Sequence, residues 1–217
     1  LSASVQLFLG RLPMLLLGLL TIIVIARWAY RLWGMPAAIV GTGLAVTEPT
    51  LIAHSSLITP DIALTCFFTL FFYLVWAYRE DGSFRTLLLA GVALGAALGS
   101  KFPAIVALPA LIVIAMSDAS SGAWAVPWRC RLPPEKRWHP YAEALLMLVF
   151  LCAIAVLTLV GIYAMHGIGF WRDGFIYQLG HSSQGHMAFL WGRYSDHGWW
   201  YYFPVAFVLK TPTLTFA

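Results

Sequence analysis

The 217 residues are 61% hydrophobic and only 10% charged, with a mean hydropathy of +0.81. Soluble domains carry about 25% charged residues, so this composition excludes a soluble globular domain and predicts an all-α, polytopic transmembrane helical bundle. The net charge of +4 does not indicate a nucleic-acid partner, because the basic residues are scattered between apolar runs instead of lining one stripe.

The first apolar run covers about 8–30 and contains Arg11 near its start. The second covers about 35–52, and the third about 61–78, just after Pro60. The fourth and fifth, about 86–100 and 102–117, are short and joined through Lys101. That tip is expected below the membrane surface, at the floor of a cavity. The sixth covers about 142–165, and a seventh over 205–217 is incomplete. A bilayer-crossing helix needs ~20 apolar residues, so about six spans plus the start of a seventh are predicted. A connector lies over 118–141 and a second long loop over 166–204. Small residues in "AGVALGAALGS" suit ordinary close packing of membrane helices. The chain starts at Leu1 and stops as an apolar run begins, so 1–217 is expected to be an internal fragment of one transmembrane domain. Cys66, Cys130 and Cys152 suggest no disulfide framework and no zinc spacing.

Basic residues alternate between loops. Arg27 and Arg31, then Arg79 and Arg85, then Arg129, Arg131, Lys136 and Arg137 fall on one side. The positive-inside rule makes that side cytoplasmic. Glu48, His54, Asp61, Lys101 and the loop over 166–204 then face outward. This outer loop is rich in aromatic residues suited to a headgroup layer, among them Trp199, Trp200, Tyr201 and Tyr202.

The outer polar residues are the candidates for chemistry. Asp61 follows Pro60 at the start of a helix, where it reads equally as a helix-end charge or as an active-site acid. Lys101 has no acidic residue nearby in sequence, and so reads as a phosphate-holding cation or as a snorkelling side chain. Arg11 carries the same two readings. His181 and His186 stand in an H-x4-H spacing. Zinc sites need three or four ligands, so this pair does not establish one, and a divalent metal is left as an open alternative. The rings could instead bond a sugar hydroxyl or phosphate, and Tyr201 and Tyr202 could stack on a sugar or an isoprenoid. No P-loop, Rossmann fingerprint or nucleophile elbow occurs, which argues against a nucleotide-using enzyme.

Four segments carry a resemblance: "RLPMLLLGLLTIIVIARWAYRLWG", "HSSLITPDIALTCFFTLFFYLVWA", "LGAALGSKFPAIVALPAL" and "GHMAFLWGRYSDHGWWYYFPVAFVLKTP". In this order the chain resembles the bacterial branch of the protein O-mannosyltransferase and aminoarabinose-transferase group, membrane glycosyltransferases of the GT-C fold. The resemblance implies transfer of a sugar from a polyprenyl-phosphate donor to a protein, lipid or glycan acceptor on the outer face of the membrane. It also implies a bacterial inner-membrane location, with membrane lipid as a partner. The principal catalytic acid would precede Leu1, and Asp61 would be a secondary acid. Lys101 would match a basic tip residue, and the segment from Arg193 to Lys210 would lie near the lipid phosphate. With Arg11, His54, His181, His186, Tyr201 and Tyr202, these complete the expected substrate-binding set. A transporter and a non-catalytic scaffold are the rivals. The transporter reading predicts an internal repeat, and no convincing one is present.

Overall fold

A computed structural model describes residues 2–121, 140–183 and 187–211. The first helix, α1 (Ala3–Trp33), has 31 residues. At 1.5 Å per residue it rises about 46 Å, more than the ~30 Å hydrocarbon layer. It ends at Gly34, whose φ of +79° takes it out of the helical region. The chain turns into α2 (Met35–Thr47), which breaks at Glu48 into α3 (Pro49–Ser56) at an angle of 60°. Proline causes the break. Pro49 lacks an N–H and disfavours helical geometry in the residue before it, and Glu48 is accordingly extended at φ −76°, ψ 113°. The single span expected over 35–52 is therefore a bent pair.

The helix α4 (Pro60–Asp81) closes on Gly82 in the left-handed region. It is followed by α5 (Phe84–Ser100), a 3-10 turn (Phe102–Val106) and α6 (Ala107–Ser121). Beyond them lie α7 (Pro140–Ile162) and α8 (Ile168–Ser183). The strands β1 (Ala188–Leu190) and β2 (Arg193–Ser195) form an antiparallel hairpin, and α9 (Tyr202–Lys210) follows. Trp191 and Gly192 both have positive φ, as a tight two-residue hairpin turn requires. Within the described residues, α1, α4 and Tyr141–Ile162 of α7 are long and apolar enough to cross a membrane, and α2 with α3 makes a fourth if counted as one span. Helix α5 and the stretch Phe102–Ser117 are apolar but shorter. The segment expected as a loop over 166–204 holds α8 and the hairpin. The connector's residues 122–139, with Arg129, Cys130, Arg131, Lys136 and Arg137, lie outside the described residues, as do 212–217.

The core sits where α5 packs between α4 and α7, around Phe71, Leu94, Leu111, Met147 and Leu151. Gly91, Gly95 and Gly99 recur every fourth residue along α5 and let α7 approach its backbone. A Cβ at Gly95 would lie 2.5 Å from the Ala155 carbonyl oxygen. In a lipid-embedded bundle, such close packing replaces the water-driven burial that holds soluble helices together. The two ends of the bundle differ. Arg27, in the last third of α1, reaches Tyr73, in the second half of α4, whereas Gly10 and Gly18 of α1 meet Ile58 and Ser55. Arg27, Arg31, Arg79 and Arg85 thus share one end, and Glu48, His54, Asp61 and Lys101 the other.

Candidate functional site

At this second end two helix termini meet. Asp61 occupies the first turn of α4, directly after Pro60, whose fixed φ suits a helix start. Lys101 is the residue on which α5 stops, extended at φ −159°, ψ 139°. Its Nζ donates to Asp61 Oδ1 at 2.5 Å. The lysine that lacks an acidic neighbour in sequence therefore has one in space, 40 residues away. His54, in the last turn of α3, brings Nδ1 to 3.8 Å from Asp61 Oδ2 and 3.3 Å from Thr59 Oγ1. The Lys101 and Asp61 side chains are 40% and 34% exposed, so the pair is open enough for a ligand to reach.

The Lys101 tip is held from outside α5. Trp171 Nε1 of α8 donates to the Leu98 carbonyl at 3.0 Å, and Tyr163 Oη donates to the Gly99 carbonyl at 3.5 Å. The last carbonyls of a helix lack intrahelical partners, and these two donors supply them. Phe102, next to Lys101, packs edge-on against Trp171 and Phe175. Sequence reading missed Tyr163 and Trp171 as supports of the tip. The indole lies 73 positions from its acceptor, and nothing local marks the pairing.

Glu48 joins the group from the α2–α3 break. Its Oε2 accepts from the Leu51 amide at 2.6 Å and caps α3. The thirteen residues of α2 rise only about 20 Å, short of the ~30 Å hydrocarbon layer, so the helix bends before it has crossed that distance. Glu48 and Thr50 line two hollows. One, of about 150 Å³, is shared with Leu51, His54, Ile62 and Thr65. The other, of about 590 Å³, is shared with Tyr202, Phe203, Lys210 and Thr211 around α9. A volume near 600 Å³ is in the usual range for small-molecule sites. A larger cleft of about 750 Å³ between α6 and α7 is lined by apolar residues and Cys152, and offers no charged group.

The expected site residues separate accordingly. Asp61, Lys101 and His54 form one cluster, and Tyr202 and Lys210 join it through the Glu48 wall. Arg11 lies exposed on α1 beside Gly10, which abuts Ile58 near the start of α4. His181 stacks on Tyr177 in the last turn of α8, with ring centroids 5.8 Å apart. Arg193 is exposed on β2, and Tyr201 precedes α9. None of these last four is an ion-pair or hydrogen-bond partner of Asp61. His186 lies outside the described residues. Among the described residues, no group of three or more His, Cys, Asp or Glu side chains could hold a metal.

The family model described as dolichyl-phosphate-mannose-protein mannosyltransferase matches residues 3–130, more than half of the chain. The chain belongs to this family. No curated protein and no solved structure matches it. The mannosyltransferase match contains Arg11, Glu48, His54, Asp61 and Lys101, whereas His181, His186, Arg193, Tyr201, Tyr202 and Lys210 lie beyond it. Membership makes the chain part of a membrane glycosyltransferase family whose donor is a polyprenyl-phosphate-linked sugar. The family's donor carries a phosphate at the reacting bond, and the Asp61–Lys101–His54 cluster offers a cation with N–H donors to spare.

Proposed function

We propose that the chain transfers a sugar, mannose or a related hexose or pentose, from a polyprenyl-phosphate donor to an acceptor on the outer face of a bacterial inner membrane. The observation that carries the reading is the Lys101–Asp61 pair where α5 ends against the start of α4. The ammonium has three N–H donors, and Asp61 takes one. The other two are available to the donor phosphate. In the reaction, the bond between the anomeric carbon and the phosphate oxygen breaks, and the acceptor oxygen bonds to that carbon. Negative charge grows on the departing phosphate, where a fixed cation lowers the barrier. The acceptor proton passes to a carboxylate. Asp61, held by Lys101, serves as a secondary acid that fixes the ammonium and keeps the pocket near neutral.

The remaining residues take supporting roles in this reading. His54 braces the second oxygen of Asp61. Tyr202 and Lys210 face Glu48 across the 590 Å³ cleft, which suits a polar acceptor or the sugar. Arg11, His181, Arg193 and Tyr201 are proposed to border the same outer surface. The outer orientation follows from Arg27, Arg31, Arg79 and Arg85 at the opposite end, since cytoplasmic loops concentrate Lys and Arg. Residues 1–217 are proposed to be part of one GT-C-like transmembrane domain.

The test uses the full-length enzyme in liposomes with radiolabelled polyprenyl-phosphate mannose. The expected result is release of free polyprenyl phosphate as label passes to an acceptor. A donor that stays intact with peptide, lipid and glycan acceptors alike would remove the reading and leave a scaffold or transporter.

A further inference from the structure

At the end of the bundle opposite Lys101, α1 presents Arg27 and Arg31, four residues apart and therefore on one face. Arg27 Nε donates to Tyr73 Oη of α4 at 2.9 Å. The Arg31 guanidinium lies 4.8 Å from the Trp76 ring centroid. Trp28 packs against both rings, with centroids 6.0 Å from Tyr73 and 6.3 Å from Trp76. Each guanidinium is thus held by an aromatic of α4, and neither has a carboxylate partner among the described residues. An arginine that serves only to orient a span needs neither feature. After Nε is committed to Tyr73, Arg27 keeps its two terminal amino groups, a planar fork that matches two oxygens of one phosphate.

Other features set the depth and the flank of this site. Arg27 follows Arg11 by sixteen positions, about 24 Å along the helix. The stretch between them is apolar apart from Thr21 and falls about 6 Å short of the ~30 Å hydrocarbon layer, a gap that long arginine side chains span, so Arg27 and Arg31 reach headgroup level when it is embedded. Beside them Tyr30, Leu32, Trp33 and Met35 are exposed, an apolar flank suited to acyl chains. The following helix, α2, begins without a side-chain cap. Trp28 Nε1 is buried and lacks an acceptor among the described residues, so the cluster is one acceptor short.

We infer that Arg27 and Arg31, backed by Tyr73 and Trp76, bind the phosphate of an anionic glycerophospholipid in the leaflet at this end. The site is remote from the proposed donor phosphate and does not depend on the catalytic reading. It stands on charge complementarity, the preset guanidinium geometry and the apolar flank.

The experiment is native mass spectrometry of the intact purified protein with phosphatidylglycerol or phosphatidylcholine of matched acyl chains. The wild type should hold phosphatidylglycerol about tenfold more tightly, because the choline cation of phosphatidylcholine offsets its phosphate and opposes the guanidinium groups. Arg27→Lys with Arg31→Lys keeps charge and topology but removes the planar forks, and should lose most of that preference. Tyr73→Phe removes one oxygen and frees Arg27, and should weaken the preference several-fold, roughly. It decides the matter if the double variant does not accumulate. Arg85→Lys, at the same end but outside the cluster, should change nothing. Inorganic phosphate at millimolar concentration should not displace the lipid. Three results would each overturn the inference: equal retention of the two lipids, wild-type preference in both the double-lysine and Tyr73→Phe variants, or displacement by inorganic phosphate.

Discussion

Asp61 and Lys101 had two separate readings in the sequence and have one joint reading in space. A lysine with no acidic neighbour within its own loop looks like a free cation, because only local partners are visible along the chain. Its carboxylate is supplied by the start of another helix. The pairing changes what substitution should do. The pair is more than a third exposed on both sides, and such pairs contribute about 0–1 kcal/mol to stability. Asp61→Asn and Lys101→Met should therefore leave the thermal midpoint in detergent nearly unchanged. Each should lower single-turnover sugar transfer about a hundredfold. The double variant should fall no further than the worse single variant, since residues in contact are not independent. Multiplied losses in the double variant would mean that the two side chains act at different places.

The helices show which sequence signals carry through. The apolar stretches of α1, α4 and α7 are legible because each is long, continuous and bounded by charge or proline. The bend at Glu48 was not, although Pro49 marks it, because apolar residues continue on both sides and hydropathy averages across the break. Helix α8 looks like loop in the sequence because Arg172, Asp173 and its glycines lower its hydropathy; Trp171 docks it on the end of α5. The small-residue stripe of α5 was legible as a packing face, and its partner is α7. Gly95→Ala would place a methyl group 2.5 Å from the Ala155 carbonyl oxygen and 2.6 Å from Thr158 Cβ, neither of which can swing away. A loss of about 1–3 kcal/mol is expected. Gly161→Ala, on α7 with nothing within 4 Å of the new methyl group, should be neutral or stabilising by up to about 1 kcal/mol. Thermal unfolding of the two variants side by side checks this; equal behaviour would mean that α5 and α7 do not pack as described.

For the molecule as a whole, the separation of charge between its ends is the feature most directly legible in the sequence, because loop charges need no tertiary information. It carries the proposed orientation. In a variant with its native cysteines replaced, Met165→Cys should react with a membrane-impermeant thiol reagent added outside intact cells. Met165 is 94% exposed in the turn after α7. Ser83→Cys, between α4 and α5, should react only after permeabilisation. The reverse pattern would put the Lys101–Asp61 pair on the cytoplasmic side. The proposed transfer requires Lys101 to hold the donor phosphate, and affinity for polyprenyl monophosphate, the product that keeps that phosphate, tests this without depending on the acceptor. Lys101→Met in the full-length protein should weaken that affinity by about ten- to a hundredfold, the equivalent of one charge-assisted contact. Lys101→Arg should recover part of it, since its fork differs in shape from an ammonium. An unchanged affinity in Lys101→Met would contradict the account and leave Lys101 as a side chain that reaches the membrane surface only to be solvated.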